Sequence, residues 1–325
     1  MTSRTSTRTG ISGWRYAGWR NAFYPPQLPQ ARELAFASRA LQTIEINGSH
    51  YALQTPASYR SWYEATPPSF MFSVKAPRFI THILRLRGEQ SPFAIANFLA
   101  SGLFNLREKL GPILWQFPPS LRFDPGLFEA FLQGLPHDTE AAVEVARHHD
   151  AHIKHACLKT DRKRPLRHAV EIRHPSFCDE TFIQMLRKYR AALVFSDSTA
   201  NWPYAEDVTA DFIYMRLHGT ETLYSGAYSD AALDCWAKRI RTWESGGEPR
   251  DAQRIASTPS HRKATKKPRD VFCYFDNDQK VRAPFDAARL ASRLRGSAVE
   301  NDMRGLQHSL WNAAEISDLL KKKRR

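Results

Sequence analysis

The sequence predicts an α/β protein that folds as a single (β/α)8 barrel of the TIM type. Strand-like and helix-like segments alternate about eight times along the 325 residues, and no internal repeat of a shorter period is visible. Such alternation is typical of a parallel sheet, and eight strand–helix units that close on themselves form this barrel. A doubly wound open sheet is the alternative, but it usually has fewer strands.

The composition is that of a globular protein, with 42% hydrophobic and 12% aromatic residues. No apolar run is long enough to span a membrane, and the first ten residues lack the apolar stretch of a secretory signal. The four cysteines show no C-x-x-C spacing, which argues against a zinc site and indicates a reducing compartment. We therefore expect a cytoplasmic protein without a membrane partner.

The strands are predicted from short segments in which apolar and polar residues alternate with a period of two. They cover residues 9–14, 43–47, 70–75, 112–117, 168–173, 192–197, 212–218 and 271–276. The seventh segment is the clearest, because Tyr214, Arg216 and His218 fall on one face and the opposite face is apolar.

The helices are predicted between the strands from their composition and from the residues that begin them. They cover residues 30–40, 56–63, 92–106, 125–134, 138–155, 179–190, 229–244 and 286–295. Pro56 suits the first turn of the second helix. Ser229 caps a helix whose apolar residues recur at three- and four-residue spacing. If 138–155 is one helix, His148, His152 and His155 share a face, which we interpret as surface rather than as a metal site.

The polar side chains at the strand ends predict where the barrel carries its function. Residues on the non-apolar face point into the barrel, and TIM barrels do their chemistry at the carboxyl ends of the strands. There the pattern predicts Glu45, Asn47, Lys75, Gln116, Glu171, Arg173, Asp197, Arg216, His218 and Asp276. Burying so many unpaired charges would cost several kcal/mol per ion. We therefore expect a paired network, a solvated pocket or both.

The leading hypothesis is an enzyme of the hydrolase or lyase type that acts on a phosphorylated or otherwise anionic substrate. Lys75, Arg173 and Arg216 would hold the anion. His218 would act as acid or base, with Glu45, Glu171 or Asp197 as its partner. The remaining substrate-binding candidates are Asn47, Gln116, Asp276 and Trp14, the last on an aromatic loop that could stack on a ring.

Three alternatives stay open. The four carboxylates with His218 could hold Mg²⁺ or Mn²⁺, as in a metal-dependent isomerase or an endonuclease-like barrel. A pair of carboxylates could instead act on a glycosidic or phosphoester bond. The mouth could also bind an anion or RNA without catalysis. The cofactor is left unknown, because no nucleotide-cofactor or serine hydrolase motif is present.

The charge of the chain points to polyanionic partners. Lysine and arginine total 47 against 33 acidic residues, a formal charge of +14, which favours nucleic acid or an anionic small molecule. Part of the excess lies in a loop at 245–269 and in the tail after 297. We therefore predict a barrel domain at 9–295 with a basic loop insertion, followed by a basic extension at 296–325.

Motifs from most of the strands resemble those of the domain-of-unknown-function-72 family, also known as YecE-like. They include G-I-S-G-W-R-Y, T-I-E-I-N-G-S-H-Y, F-S-V-K-A-P-R, G-P-I-L-W-Q-F-P, V-E-I-R-H-P-S-F, D-F-I-Y-M-R-L-H-G and Y-F-D-N-D. The resemblance covers about residues 9–295 and implies a TIM barrel. Its motif positions are Trp14, Glu45, Asn47, Lys75, Gln116, Glu171, Arg173, His174, Asp197, Arg216, His218, Asp276 and Asn277. It implies no reaction, cofactor or substrate, and the basic loop and tail depart from its pattern.

Overall fold

Eight parallel strands form a closed barrel in chain order in the computed structural model, which describes residues 6–220, 223–257, 267–297 and 303–313. The strands are β1 (Thr7–Ser12), β2 (Thr43–Ile46), β3 (Met71–Lys75), β4 (Leu110–Gln116), β5 (His168–Glu171), β6 (Ala192–Asp197), β7 (Phe212–Leu217) and β8 (Asp270–Phe275). Each strand pairs with the next, and β8 pairs with β1. The predicted fold class is confirmed.

The helices surround the barrel. They are α1 (Glu33–Ala40), α2 (Gly48–Tyr51), α3 (Pro56–Ala65), α4 (Gln90–Ala100), α5 (Pro125–Gly134), α6 (Thr139–Ala146), α7 (Glu180–Lys188), α8 (Asp230–Glu244), α9 (Ala283–Arg295) and α10 (Met303–Ala313). The caps Thr55, Asp124 and Ser229 each accept a backbone N–H of the first turn. A π-helical turn follows β3 at Phe79–Ile83.

Two predicted helices are shorter than expected. The segment 92–106 breaks after Ala100, because Gly102 takes a left-handed φ of 107° before a 3-10 segment at Leu103–Lys109. The segment 138–155 is helical only to Ala146. Asp150 then accepts the backbone N–H of His152 in a turn. The three histidines predicted to share a helix face therefore lie outside any helix.

The barrel interior changes from apolar to polar along the strands. The buried interior cluster contains Leu114, Ala169, Ala192, Val194, Phe212, Tyr214, Phe272 and Tyr274. The residues between them on the strands, such as Val170, Ile213 and Met215, pack in the outer core beneath the helices. The Tyr214 hydroxyl lies 2.7 Å from Ser73 Oγ, and the Tyr274 hydroxyl lies 3.0 Å from Thr43 Oγ1. This alternation places the next residues along the strands at the carboxyl-terminal mouth of the barrel.

Parts of the predicted loop insertion and extension pack against the barrel. Asp207 accepts the backbone N–H groups of Ile255 and Ala256. In α10, Leu306 and Leu310 are buried, and the Trp311 indole donates to the Phe23 carbonyl oxygen. The basic runs at 261–266 and 321–325 lie outside the described residues. The domain boundaries themselves stay a prediction. Among the described residues no helix has the length and apolarity to cross a membrane.

Gly10 in β1 gives the first testable prediction. A Cβ at Gly10 would lie 1.8 Å from the Thr43 carbonyl oxygen, whereas a Cβ at Gly18 would meet no atom within 4 Å. Because backbone cannot move aside cheaply, Gly10→Ala should lower the free energy of unfolding by about 3 kcal/mol or more. Gly18→Ala should change it by about 0.5 kcal/mol or less. Urea denaturation measures both, and equal effects would contradict the close approach of β1 and β2.

Candidate active site

Arg216 is the centre of the polar layer at the mouth. It follows Tyr214 on the inward face of β7 and is fully buried. Its Nε and Nη2 donate to the two carboxylate oxygens of Glu45 at 3.1 and 3.0 Å, and its Nη1 donates to Glu171 at 3.0 Å. Nη2 also lies 2.8 Å from Asp276 Oδ2. We name Arg216, Glu45, Glu171 and Asp276 the charged ring.

Neutral side chains complete the hydrogen bonds of the ring. The Tyr214 hydroxyl donates to Glu45 at 2.6 Å, and Ser12 Oγ donates to the other Glu45 oxygen at 2.7 Å. Asn47 donates to Ser12 Oγ at 2.8 Å, and Gln116 donates to Glu171 at 2.7 Å. Buried carboxylates with this many donors are stabilised in their charged form. Of the arrangements expected from the sequence (a paired network, a solvated pocket or both), these contacts form a paired network.

The charges of the ring lower the pKa of two of its carboxyl groups, Glu171 and Asp276. Burial alone would raise the pKa of Asp276 and of Glu171, but the Arg216 guanidinium outweighs it and holds both well below their usual range. Arg173 adds to the effect on Glu171, and His218 adds to the effect on both. Glu171 and Asp276 are therefore ionised across the neutral range.

Arg173 sits above the ring and is also paired. Its Nε and Nη2 lie 3.2 and 3.0 Å from Glu171 Oε1. Its guanidinium carbon lies 3.6 Å from the centroid of the Trp202 ring, a cation–π contact. Together with Arg216 it shares the charge of Glu171, so both arginines are largely neutralised by carboxylates.

His218 lies beside the ring and is completely buried. Its Nδ1 is 3.1 Å from Asp276 Oδ2 and its Nε2 is 3.6 Å from Glu171 Oε1. Neither nitrogen makes a well-aligned hydrogen bond within the described chain. Trp202 and Tyr224 pack edge-on against the imidazole at centroid distances of 5.5 and 5.6 Å. A histidine held between two carboxylates has the geometry of an acid–base group.

Lys75 differs from the two arginines. It has the inward position at the end of β3 and is 8% exposed. Among the described residues its ammonium makes no hydrogen bond and no ion pair. Burial, reinforced by the Arg216 charge, lowers the pKa of Lys75 to about 8 against the pull of Glu45, Glu171 and Asp276. Lys75 is thus a buried cation without a partner.

Two histidines next to Lys75 were not among the site residues predicted from the sequence. His50 Nδ1 lies 2.9 Å from the Ala76 carbonyl oxygen, and the ring centroids of His50 and His82 are 5.1 Å apart. Burial and the Lys75 charge lower the pKa of His50 to about 3 and that of His82 to about 4. Both histidines are therefore neutral at pH 7. Their motifs, N-G-S-H-Y and R-F-I-T-H, were visible, but neither lies on a strand, so alternation did not select them.

Asp278 is a third site residue that the sequence did not predict. It follows β8 by three residues, after Asp276 and Asn277. Burial, with the neighbouring Asp276 charge, raises the pKa of Asp278 to about 6. Asp276 and Asp278 thus have pKa values pushed in opposite directions, which is a common arrangement for an acid and a base in one site. The motif Y-F-D-N-D was the available signal.

Asp197 and Trp14 lie apart from the ring. Asp197 lies on the same face of β6 as Leu193 and Phe195, which pack outward. The prediction that Asp197 points into the barrel was therefore wrong. Its carboxylate accepts the Tyr228 hydroxyl at 2.9 Å. Trp14 is buried against Trp62 at a centroid distance of 5.4 Å.

The two other motif positions make local contacts. His174 caps the turn at Ser176 through Nδ1, and Asn277 donates to Gly226 and Asp286.

A metal centre finds no support in the described part of the chain. No group of three or more histidine, cysteine, aspartate or glutamate side chains there has the arrangement to hold a metal ion. The carboxylates that suggested one are hydrogen-bonded to Arg216 instead.

Comparison with known proteins gives consistent matches. A family model described as "Protein of unknown function DUF72" matches residues 8–308. UPF0759 protein YunF of Bacillus subtilis (strain 168) is 30% identical over 116 residues, which is 34% of this chain and 39% of that relative. The match thus spans well under half of that curated protein.

Two solved structures share the fold. A DUF72 family protein from Thermotoga maritima matches with a TM-score of 0.66 and 22% identity, covering 89% of this chain and 99% of that chain. A DUF72 family protein from Enterococcus faecalis matches with a TM-score of 0.59 and 17% identity, covering 90% and 97%.

The paired and unpaired cations predict opposite effects of one kind of substitution. Arg216→Met leaves three buried carboxylates without their partner and should lower the free energy of unfolding by about 3–5 kcal/mol. Lys75→Met removes an unpaired buried charge and should raise it by about 2–3 kcal/mol at pH 7. Since the folded pKa of Lys75 is the lower one, wild type gains stability as the pH rises from about 8 towards 10.5, and the variant lacks this gain. Urea denaturation at pH 7 and 9 measures both; destabilisation by Lys75→Met would contradict the assignment.

Asp278 predicts a second pH effect. Its folded pKa of about 6 exceeds the ordinary 3.8, so its contribution to stability is complete below pH 3.8 and is lost as the pH rises through about 6. Asp278→Asn should remove this loss and be more stable than wild type at pH 7 by about 1–2 kcal/mol, after allowance for partial exposure. At pH 3.8 the two proteins should differ little. Parallel pH dependences of the two proteins would refute the raised pKa.

Proposed function

Because the chain belongs to the DUF72 family, whose description names no reaction, we propose its function from the mouth of the barrel. The chain is an enzyme of the hydrolase or lyase type that acts on a phosphorylated or otherwise anionic substrate. The acid–base groups are His218, Asp276 and Asp278. The anion is drawn to the β3 side of the mouth.

The observation that carries this proposal is a set of cations without carboxylate partners on one side of the mouth. Lys75 is the inner one. Outside it, Arg78, Arg85 and Arg87 are exposed on the segment after β3. No described carboxylate lies within ion-pair distance of these four residues. The β3 side is therefore the part of the mouth that attracts an anion, whereas Arg173 and Arg216 are held by Glu171 and the ring.

The deeper groups supply proton transfer. His218 lies between Asp276 and Glu171. Asp276 stays ionised because of Arg216, while Asp278 takes up a proton at about pH 6. A base and an acid of different pKa at one mouth support hydrolysis or elimination next to a bound anion.

Exposed aromatic residues favour single-stranded nucleic acid as the form of the anion. Of the five exposed large hydrophobic residues in the described chain, four lie at 51–53 and 79–83. They are Tyr51, Leu53, Phe79 and Ile83, with Tyr51 72% and Phe79 45% exposed. We name segments 50–53 and 77–87 the aromatic rim. Flat side chains among arginines form a surface on which bases stack and phosphates bind. A binding module without catalysis would use the same surface.

Binding of a fluorescent oligothymidylate tests the location of the anion site. The double variant Arg78→Gln/Arg85→Gln should weaken binding about tenfold at moderate salt and lower the slope of log Kd against log salt. Phe79→Ala should also weaken binding, by losing one stacked base. The matched controls are Arg60→Gln, an exposed arginine on α3, and Phe93→Ala, an exposed phenylalanine on α4.

Three outcomes of this experiment are decisive. Affinity that does not change with salt would reject the nucleic-acid form of the proposal. Equal losses in the variants and controls would reject the aromatic rim. If the oligonucleotide binds to the wild-type protein but no product forms, the mouth recognises its ligand without catalysis.

A further inference from the structure

Two lysines of the described chain are buried, and they differ in one respect. The Lys109 ammonium donates to the carbonyl oxygens of Tyr63 and Thr66 at 2.6 and 2.7 Å and lies 3.1 Å from Thr66 Oγ1. Its three N–H groups are thereby satisfied, as expected of a structural lysine. The Lys75 ammonium has no such acceptor. Lys75 is only 8% exposed, and an unpaired amine in this position at the mouth is placed for chemistry rather than for support.

We propose that Nζ of Lys75 is a covalent nucleophile that forms an imine with an aldehyde or ketone substrate bound at the mouth. The amine needs its lone pair for this step, and the surroundings favour the neutral form. Burial and the Arg216 charge both act against the ammonium form, so the pKa of about 8 leaves about one-tenth of Lys75 neutral at pH 7. A lysine with the ordinary pKa of 10.5 has a neutral fraction about 300-fold smaller.

The step balances without an oxidant or reductant. Nζ forms a bond to the carbonyl carbon, and the electron pair of the C=O π bond moves to the oxygen, which takes one hydrogen from the amine. The oxygen then leaves as water with the second amine hydrogen, and a C=N bond remains. Protonated, this nitrogen draws electrons from a neighbouring bond, which is the chemistry of a lyase.

The substrate class follows from two requirements. The imine step requires a carbonyl group, and the requirement for an anionic group rests on the proposed function. The substrate is a carbonyl compound that carries a phosphate or carboxylate. A phosphorylated sugar with a free anomeric carbon has both features, whether it is a small molecule or part of a nucleic acid. The imine itself needs only Lys75.

The groups that face Lys75 set its pH dependence. Arg216, His50 and His82 surround it with Glu45, Glu171 and Asp276. The two histidines stay neutral above about pH 4, and Glu171 and Asp276 stay ionised. Lys75 is therefore the group of this cluster that titrates near pH 8, and imine formation should rise with pH and level off above about 8.

Borohydride trapping tests the proposal on the full chain. The protein is incubated with limiting glyoxylate, an anionic aldehyde, or with propanal, a neutral one, and reduced with sodium borohydride. Peptide mass spectrometry then locates the secondary amine. We expect Lys75 to be labelled about tenfold or more faster than Lys109 or the exposed Lys188, and labelling to follow a pKa near 8.

Three variants distinguish the loss of the Lys75 amine as a nucleophile from the loss of its positive charge. Lys75→Met and Lys75→Arg should both abolish the fast adduct, while Lys75→Arg keeps the positive charge and hence anion binding. Lys188→Met should retain it. An adduct spread over exposed lysines, or a Lys75 that reacts no faster than Lys188, overturns the imine. Trapping of propanal at Lys75 without oligonucleotide or phosphate binding would overturn the proposed function and leave the imine intact.

Discussion

The contact between Arg216 and three carboxylates is the interaction on which the mouth of this barrel depends. One guanidinium on β7 bonds to Glu45 on β2, to Glu171 on β5 and to Asp276, which follows β8. Buried ions of this kind cost free energy to desolvate, and only mutual pairing offsets the cost. Because the ring joins β2, β5 and β7, which are not neighbours in the barrel, it fixes their relative positions at the one end of the barrel that apolar packing does not fill.

The fold was predictable because apolar and polar residues alternate with a period of two in the strand segments. In Phe212–Leu217, the alternation of residue types correctly placed Tyr214 and Arg216 on the inward face and Ile213 and Met215 on the outward face. The same period of two identified the strand residues of the charged ring. The rule failed where the chain leaves the strands. His50, His82 and Asp278 lie in loops, where position depends on turns and tertiary contacts that no period records. Asp197, the last residue of β6, was given the wrong face for a different reason: the alternation of Ala192 and Val194 assigns Ser196, not Asp197, to the inward face.

The three cations at the mouth differ in whether a carboxylate pairs with them, and this difference separates their roles. In the sequence Lys75, Arg173 and Arg216 look like three equivalent cations. In the structure Arg173 and Arg216 form ion pairs with Glu171. The uncompensated charge lies on the β3 side, where the aromatic rim also begins. The ring is thus internally hydrogen-bonded, whereas the neighbouring amine has no partner in the described chain.

The position of α10 has a consequence for the order in which the protein folds during synthesis. The first strand–helix unit, β1 with α1, pairs with β8 and packs against α10, so it stays partly uncovered until the last residues of the barrel have left the ribosome. Contacts of such long sequence separation form late and slowly. Until then, the apolar surface of α1 and the edge of β1 that pairs with β8 lack their partners from the C-terminal part of the chain.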